Sequence, residues 1–190
     1  MHRIAEEIVG VVLLDEACAD FIHPKIGYTS RELVTQHDNV LVLRTFSKGY
    51  SLAGLRLGYL LGAEELITPI IEKTRDTYNI DAISQSLGIA ALQDQDYARA
   101  TWEKVREQRQ FLAQTLNDLG WSCLASEGNF LLSTPPPNSI GAAEIYKRLK
   151  AEGILVRYFD HPRLHDKLRI SIGTKEQNKV LLENLRHLCR

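Results

Sequence analysis

Cysteine is scarce in this chain. Cys18, Cys123 and Cys189 are odd in number and scattered over 190 residues, so they make neither a disulfide framework nor a zinc spacing. A reducing, cytoplasmic setting is the default for such a chain. Long apolar runs are also missing, since none approaches the roughly 20 residues that span a bilayer. The opening "MHRIAEEIVG" carries a Glu pair where a secretory leader needs an apolar stretch. No charge of one sign dominates: 23 Lys and Arg stand against 24 Asp and Glu, and a net charge of −1 gives no field for nucleic acid or an anionic membrane. The basic residues are not interleaved with aromatics, as a nucleic-acid face requires. There is no P-loop, no G-x-G-x-x-G, no internal repeat and no low-complexity tract. His161 and His165 stand four apart, but Pro162 between them argues against a helical metal pair, so no metal site is expected.

What is present belongs to an ordinary globular protein with a sizeable core: 44% of residues are hydrophobic and 25% are charged. "VGVVLLDEACADF" (9–21) begins as a continuous apolar run and ends in acid, which is how a strand buried on both faces reads. "NVLVLRT" (39–45) is a second such strand and "RLGYLLG" (56–62) a third. "AEELITPIIEKTRDT" (63–77) reads as a helix whose Pro69 must fall in the first turn or kink it. A packed helix over 82–95 follows, then a long helix over 96–120 with Asp96 as cap and Gly120 as stop. The charged stretch "EKVREQR" within it reads as a solvated face. Beyond Gly120, "NFLLSTP", "ILVRYF" and "KLRISIG" read as strands, with helices over "GAAEIYKRLKAEG" and "KEQNKVLLENLRHLC". Mixed strands and helices of this length make a small α+β unit.

The segment "TFSKGYSLAGLRLGY" (45–59) poses the chemical question, because Lys48 sits among Ser47, Gly49, Ser51, Ala53 and Gly54. Open α/β sheets place ligands beyond the carboxyl ends of their strands, and two apolar strands here end in Asp15 and in Lys48. An acid and an amine at one sheet edge also fit a plain ion pair. A nucleophilic lysine needs partial desolvation, and small neighbours leave room for a flat ring. Hydroxyls at Thr45 or Ser47 and a guanidinium at Arg56 suit a phosphate, while Asp15 suits a protonated pyridine nitrogen. A lysine Schiff base with an acidic pyridinium partner is the mark of pyridoxal-phosphate enzymes.

"TFSKGYSLAG" resembles the lysine signature of class-II pyridoxal-phosphate aminotransferases, "VVLLDEA" their aspartate strand and "GLRLGY" their phosphate-binding arginine. Within that group the chain is most similar to the histidinol-phosphate aminotransferase family, through "YNIDAISQSLGIAAL", "EGNFLL", "ILVRYF" and "LRISIGTKEQN" in family order. The resemblance implies an α/β chain of fold type I: part of a large-domain sheet over 1–95, a connecting helix over 96–120 and a small α+β domain over 121–190. It implies pyridoxal 5'-phosphate as cofactor, with Lys48 bound to it covalently and moving the substrate proton. Asp15 would face the pyridine nitrogen, and Thr45, Ser47 and Arg56 the cofactor phosphate. Arg169 would bind the substrate carboxylate and, in the other half-reaction, the phosphate of histidinol phosphate. Arg157 is a candidate second anion contact or else a strand-end surface arginine. Asn129 matches an asparagine beside the carboxylate site, and capping the turn before its strand is an equal alternative. Tyr78 and Asn79 match a segment near the cofactor and subunit interface, or a plain loop contact.

The implied reaction is transamination of histidinol phosphate with the 2-oxoglutarate/glutamate couple, in histidine biosynthesis, by a cytoplasmic homodimer. Alternatives are an aminotransferase for aromatic amino acids, a phosphothreonine decarboxylase-like enzyme or a non-catalytic fragment. Two departures from the family stand out. Cys18 replaces the tyrosine of Asp-Glu-Ala-Tyr, whose hydroxyl would reach the cofactor ring oxygen, and a thiol is a weaker donor on a shorter arm. The family's upstream half, with its phosphate-cradling turn and stacking ring, has no counterpart, so the chain is expected to be a carboxyl-terminal half that is inactive alone.

Overall fold

The computed structural model describes residues 1–188; Cys189 lies outside the described residues. Two compact units are present, Met1–Thr101 and the chain from Trp102 onward. Among the described residues no helix is long and apolar enough to cross a membrane.

The first unit is built on a three-stranded sheet in the order β1 (Val12–Asp15), β2 (Val40–Thr45), β3 (Gly58–Gly62). β1 and β2 are parallel, with Val12 opposite Val40 and Asp15 opposite Leu43. Parallel neighbours need a crossover, and residues 16–39 supply it with the short helix α2 (Arg31–Gln36). β3 runs antiparallel to β2, Thr45 facing Gly58, a direction that apolar periodicity does not encode. α1 (His2–Glu7) and α2 cover one face of the sheet, where Ala5 and Leu33 pack on Val40 and Val42, with Val12 and Leu14 beside them.

β2 is buried over Val40–Val42 as its sequence requires, but β1 is not buried on both faces. Its burial alternates and Leu13 is 58% exposed. The cause is position, because β1 is an edge strand with helices on one side only.

α3 (Glu64–Lys73) holds Pro69 inside the helix rather than in its first turn, so no N–H is present there to meet the carbonyl one turn back. α4 (Ala82–Gln93) is capped by Asp81, whose carboxylate accepts from Ser84 N at 2.8 Å and from Ser84 Oγ at 2.6 Å. A glycine lets α4 approach the loop after β2: a Cβ on Gly88 would stand 2.5 Å from Leu57 Cδ2. α5 (Gln95–Asp118) is capped by Asp94, not Asp96, since the Asp94 carboxylate accepts from Tyr97 N at 3.2 Å. Gly120 ends the following turn with φ +81°, as a stop residue should.

The second unit has an antiparallel sheet in the order β4 (Ser122–Cys123), β5 (Phe130–Thr134), β7 (Leu168–Ser171), β6 (Arg157–Tyr158). Its core joins Leu112 and Leu116 of α5, Ile145 and Leu149 of α6 (Ala142–Ala151), and Leu181, Leu182 and Leu185 of α7 (Lys175–Leu188). These pack on Trp121, Leu131, Leu168 and Ile170. Alternation along β7 buries Leu168 and Ile170 and leaves Arg169 and Ser171 exposed.

The stretch "EKVREQR" is not a wholly solvated face. Arg106 and Arg109 are buried, because three- and four-residue steps place them on the stripe that carries Leu112 and Leu116.

Leu112 is fully buried in this core. Leu112→Ala should cost about 2–5 kcal/mol in urea unfolding followed by tryptophan emission; a loss below about 1 kcal/mol would show the core collapsing around the gap.

Candidate active site

Strand direction assembles the site in the first unit. β1 and β2 are parallel and adjacent, so Asp15 and the turn after Thr45 emerge at one sheet edge. β3 returns antiparallel, so Arg56, two residues before it, starts from that same edge. Asp15, Thr45, Ser47, Lys48 and Arg56 therefore all issue from the end of the sheet where open α/β sheets carry ligands.

Asp15 is exposed, and its Oδ1 accepts from Ala17 N at 3.0 Å, which fixes the turn leaving β1. Thr45 Oγ1 accepts from Ser47 N at 3.0 Å and donates to Leu57 C=O at 3.3 Å. Its proton is thus committed to the loop, and its first effect is to shape the turn before Lys48. Ser51 N donates to Lys48 C=O at 3.1 Å and Leu52 N to Phe46 C=O at 3.0 Å, with Ser51 in the left-handed region at φ +59°.

The Lys48 side chain is exposed, and its ammonium has no hydrogen bond or ion pair among the described residues. The alternative of a plain Asp15–Lys48 ion pair is likewise not formed among the described residues. Arg56 adopts φ +53°; its Nη1 donates to Ala53 C=O at 3.2 Å, and its exposed guanidinium meets no carboxylate among the described residues.

Behind this edge lies a polar cluster that the sequence did not disclose. Glu16 is 5% exposed, yet its carboxylate is well provided for. Arg44 Nη2 lies 2.6 Å from its Oε2, Ser30 Oγ donates to the same oxygen at 3.1 Å, and Tyr28 Oη donates to Oε1. Arg44 Nη1 also reaches Asp20 Oδ1 at 3.3 Å. Burial raises the Asp20 pKa; Arg44 opposes this and Glu16 adds to it. Burial, then the hydrogen bond and the charge of Glu16, push the Tyr28 phenol up to about 12. A signal was available, because Glu16 adjoins Asp15 and Arg44 adjoins Thr45; their partnership across two strands was not.

In the second unit Arg157 of β6 stands directly opposite Arg169 of β7. Residues paired in this way share a face, so two guanidinium-bearing side chains lie side by side on the exposed face. Neither has an acidic partner among the described residues; Arg169 lies 5.2 Å over the Phe130 ring and Arg157 5.3 Å over Phe159. Asn129 C=O accepts from Ile172 N at 2.9 Å, so its backbone extends the β5–β7 ladder.

The loop before Asn129 is held by the buried Arg109. Its Nη1 donates to Gly128 C=O at 2.8 Å and its Nη2 pairs with Glu127 Oε2 at 2.8 Å. Burial lowers the Arg109 pKa, and Glu127 counters that shift. Tyr78 and Asn79 are exposed between α3 and α4, and the turn around His161 and His165 is closed by His165 N donating to His161 C=O at 2.8 Å.

A model of the class I and II aminotransferases matches residues 1–185. The chain belongs to that family. Histidinol-phosphate aminotransferase 1 of Nostoc sp. is 44% identical over 99% of this chain and 51% of its own length. The histidinol-phosphate aminotransferase of Geotalea daltonii is 43% identical over 96% of this chain and 51% of its own. A crystal structure of histidinol-phosphate aminotransferase from Sinorhizobium meliloti in complex with pyridoxal-5'-phosphate superposes with a TM-score of 0.84 at 30% identity, covering 95% of this chain and 49% of that one. This aminotransferase chain thus has the architecture of fold type I and spans about half the length of the curated relatives it matches.

The raised Tyr28 pKa carries a sign. Stability from the Tyr28–Glu16 contact is fully present below pH 10 and is lost as pH rises toward about 12. Tyr28→Phe should remove one late step from the phenolate titration and leave the raised Tyr59 step in place. It should lower stability by about 1 kcal/mol at neutral pH, with the difference closing at high pH. A titration unchanged by Tyr28→Phe would contradict the contact.

Proposed function

We propose that the protein works as a pyridoxal-phosphate-dependent aminotransferase that interconverts histidinol phosphate and its oxo counterpart with the glutamate/2-oxoglutarate couple. The observation that carries this reading is that Lys48, Asp15, Ser47 and Arg56 all issue from one sheet edge, with no acid paired to Lys48 or Arg56 among the described residues. The donor set fits the cofactor group by group: an amine for its aldehyde, a carboxylate for its ring nitrogen, and a hydroxyl and guanidinium for its phosphate. Such a cofactor, when bound, supplies an electron sink for the bond broken at the amino-acid α-carbon.

The chain's own residues do the rest. Lys48 would hold the cofactor covalently until the substrate amine takes its place. The freed amine would then act as base at the donor's α-carbon and, in the second half-reaction, as acid at the acceptor's, with small neighbours leaving its arm room to move. The Asp15 carboxylate would keep the pyridine nitrogen protonated. Ser47 and Arg56 would bind the phosphate, and Thr45 sets the turn from which they project. Cys18, in place of a tyrosine, offers only a weak donor toward the ring oxygen.

Arg157 and Arg169 face an anionic part of the substrate. Like charges directly opposite each other across a ladder are unfavourable unless something neutralises them, which supports a dianionic phosphate as one occupant and a carboxylate as the other. Asn129 assists at the carboxylate. The working enzyme is read as a cytoplasmic homodimer acting on small molecules.

In the complete protein Lys48→Ala should lower kcat by at least about a thousandfold with the fold intact by circular dichroism. Arg157→Gln should raise KM for histidinol phosphate by roughly ten- to hundredfold while changing that for glutamate far less. Equal losses on both substrates, or activity confined to aromatic amino acids, would refute the phosphate reading. Release of carbon dioxide would point to a decarboxylase instead.

A further inference from the structure

The loop that carries Lys48 packs through Phe46, whose ring lies 5.2 Å from that of Tyr50, and Tyr50 Oη accepts from Gln95 Nε2 at 3.2 Å. Between Thr45 and Leu57 only Phe46 and Gly49 are buried, and Ser47, Gly49, Ser51, Ala53 and Gly54 offer few atoms to hold it in place. The Thr45 hydroxyl ties the side leading into Lys48 through Ser47 N. On the far side the neighbour is Asp20. A Cβ built on Gly49 would stand 2.7 Å from Asp20 Cγ and 2.8 Å from Asp20 Cβ, so the Asp20 side chain occupies the space beside the residue that follows Lys48.

Asp20 is itself held. Its side chain is 12% exposed, and Arg44 Nη1 lies 3.3 Å from Oδ1. The same guanidinium places Nη2 2.6 Å from Glu16 Oε2, and Glu16, whose side chain is 3% exposed, directly follows Asp15. One arginine, rooted next to Thr45 on β2, therefore holds two carboxylates of the segment after Asp15, and one of them, Asp20, packs beside Gly49 in the segment after Lys48. Two desolvated carboxylates sharing one cation resist displacement, because moving either leaves a buried charge without its partner.

We propose that Arg44 and Asp20 are positioning residues that fix the backbone at Gly49, and so the root of the Lys48 side chain, relative to Asp15. The inference rests on reading Lys48 as the cofactor-linked lysine. Neither residue touches the reacting atoms. They act through the loop, where a displacement of about 1 Å can cost a hundredfold in rate.

The test uses the complete protein and the variants Asp20→Asn, Arg44→Gln and Gly49→Ala. Asp20→Asn keeps the shape and removes the charge, while Gly49→Ala forces the Asp20 carboxylate aside with the clasp residues unaltered. Amide hydrogen exchange is read on cofactor-free protein, which separates loop placement from catalysis. All three variants should speed exchange in residues 46–52 by roughly tenfold or more and leave 40–43 and 168–171 unchanged. With cofactor, kcat should fall by roughly ten- to hundredfold and KM for the amino acid should stay within about twofold. Arg44→Lys, which keeps one ion pair, should fall between wild type and Arg44→Gln.

Unchanged exchange in 46–52 would overturn the proposal, whatever kcat does. Faster exchange spread evenly through β1 and β2 would also overturn it, since Arg44 would then be a general stabiliser. An active Lys48→Ala protein would sink the functional reading instead, and the exchange result would still decide the clasp.

Discussion

The parallel pairing of β1 with β2 is the constraint on which the rest of the first unit depends. With Asp15 opposite Leu43, the acid ends its strand just where β2 is about to deliver Thr45, Ser47 and Lys48. A one-residue slip would turn Asp15 toward the opposite face of the sheet. Register is held by Val40 and Val42, which the α1 and α2 side chains cover on one face. Burial of a few aliphatic side chains thus determines where an acid and an amine stand.

Charge is handled in two ways, and each follows from burial. Glu16, Asp20 and Arg44 are largely removed from water, so each needs the others, and Ser30 and Tyr28 complete the set around Glu16. Arg109 is buried on a helix face and satisfied by Glu127 and the Gly128 carbonyl. Arg157 and Arg169 remain on an exposed face, backed by Phe159 and Phe130, without an acid among the described residues. Buried Arg109 supports a loop, while Arg157 and Arg169 meet no acid among the described residues.

Much of this was legible in the sequence where a local pattern sufficed. Apolar runs announced β1, β2, β5 and β7, and small residues around Lys48 announced a loop made to be approached. What failed needed information from elsewhere in the chain. The antiparallel sense of β3 leaves no trace in its composition, and β4 is only two residues long. Asp94 and Asp96 are equally good caps by type, and only the helix start decides between them. Leu13 looked like a core residue until the sheet proved to have β1 at its edge. The charge of "EKVREQR" marks a solvated face, and only its helical spacing sets Arg106 and Arg109 on the buried stripe. Asp15 and Lys48 could be singled out because each follows an apolar run; Glu16 could not, because its cation arrives from the neighbouring strand.

The central claim is that Lys48 is the amine on which the chemistry turns. It is tested most directly by treating the complete, cofactor-loaded protein with borohydride and mapping the modified peptide. The account predicts one pyridoxyl group, on Lys48 and on no other lysine. A label on Lys25 or Lys73, neither of which lies at the carboxyl edge of β1 and β2, would contradict it.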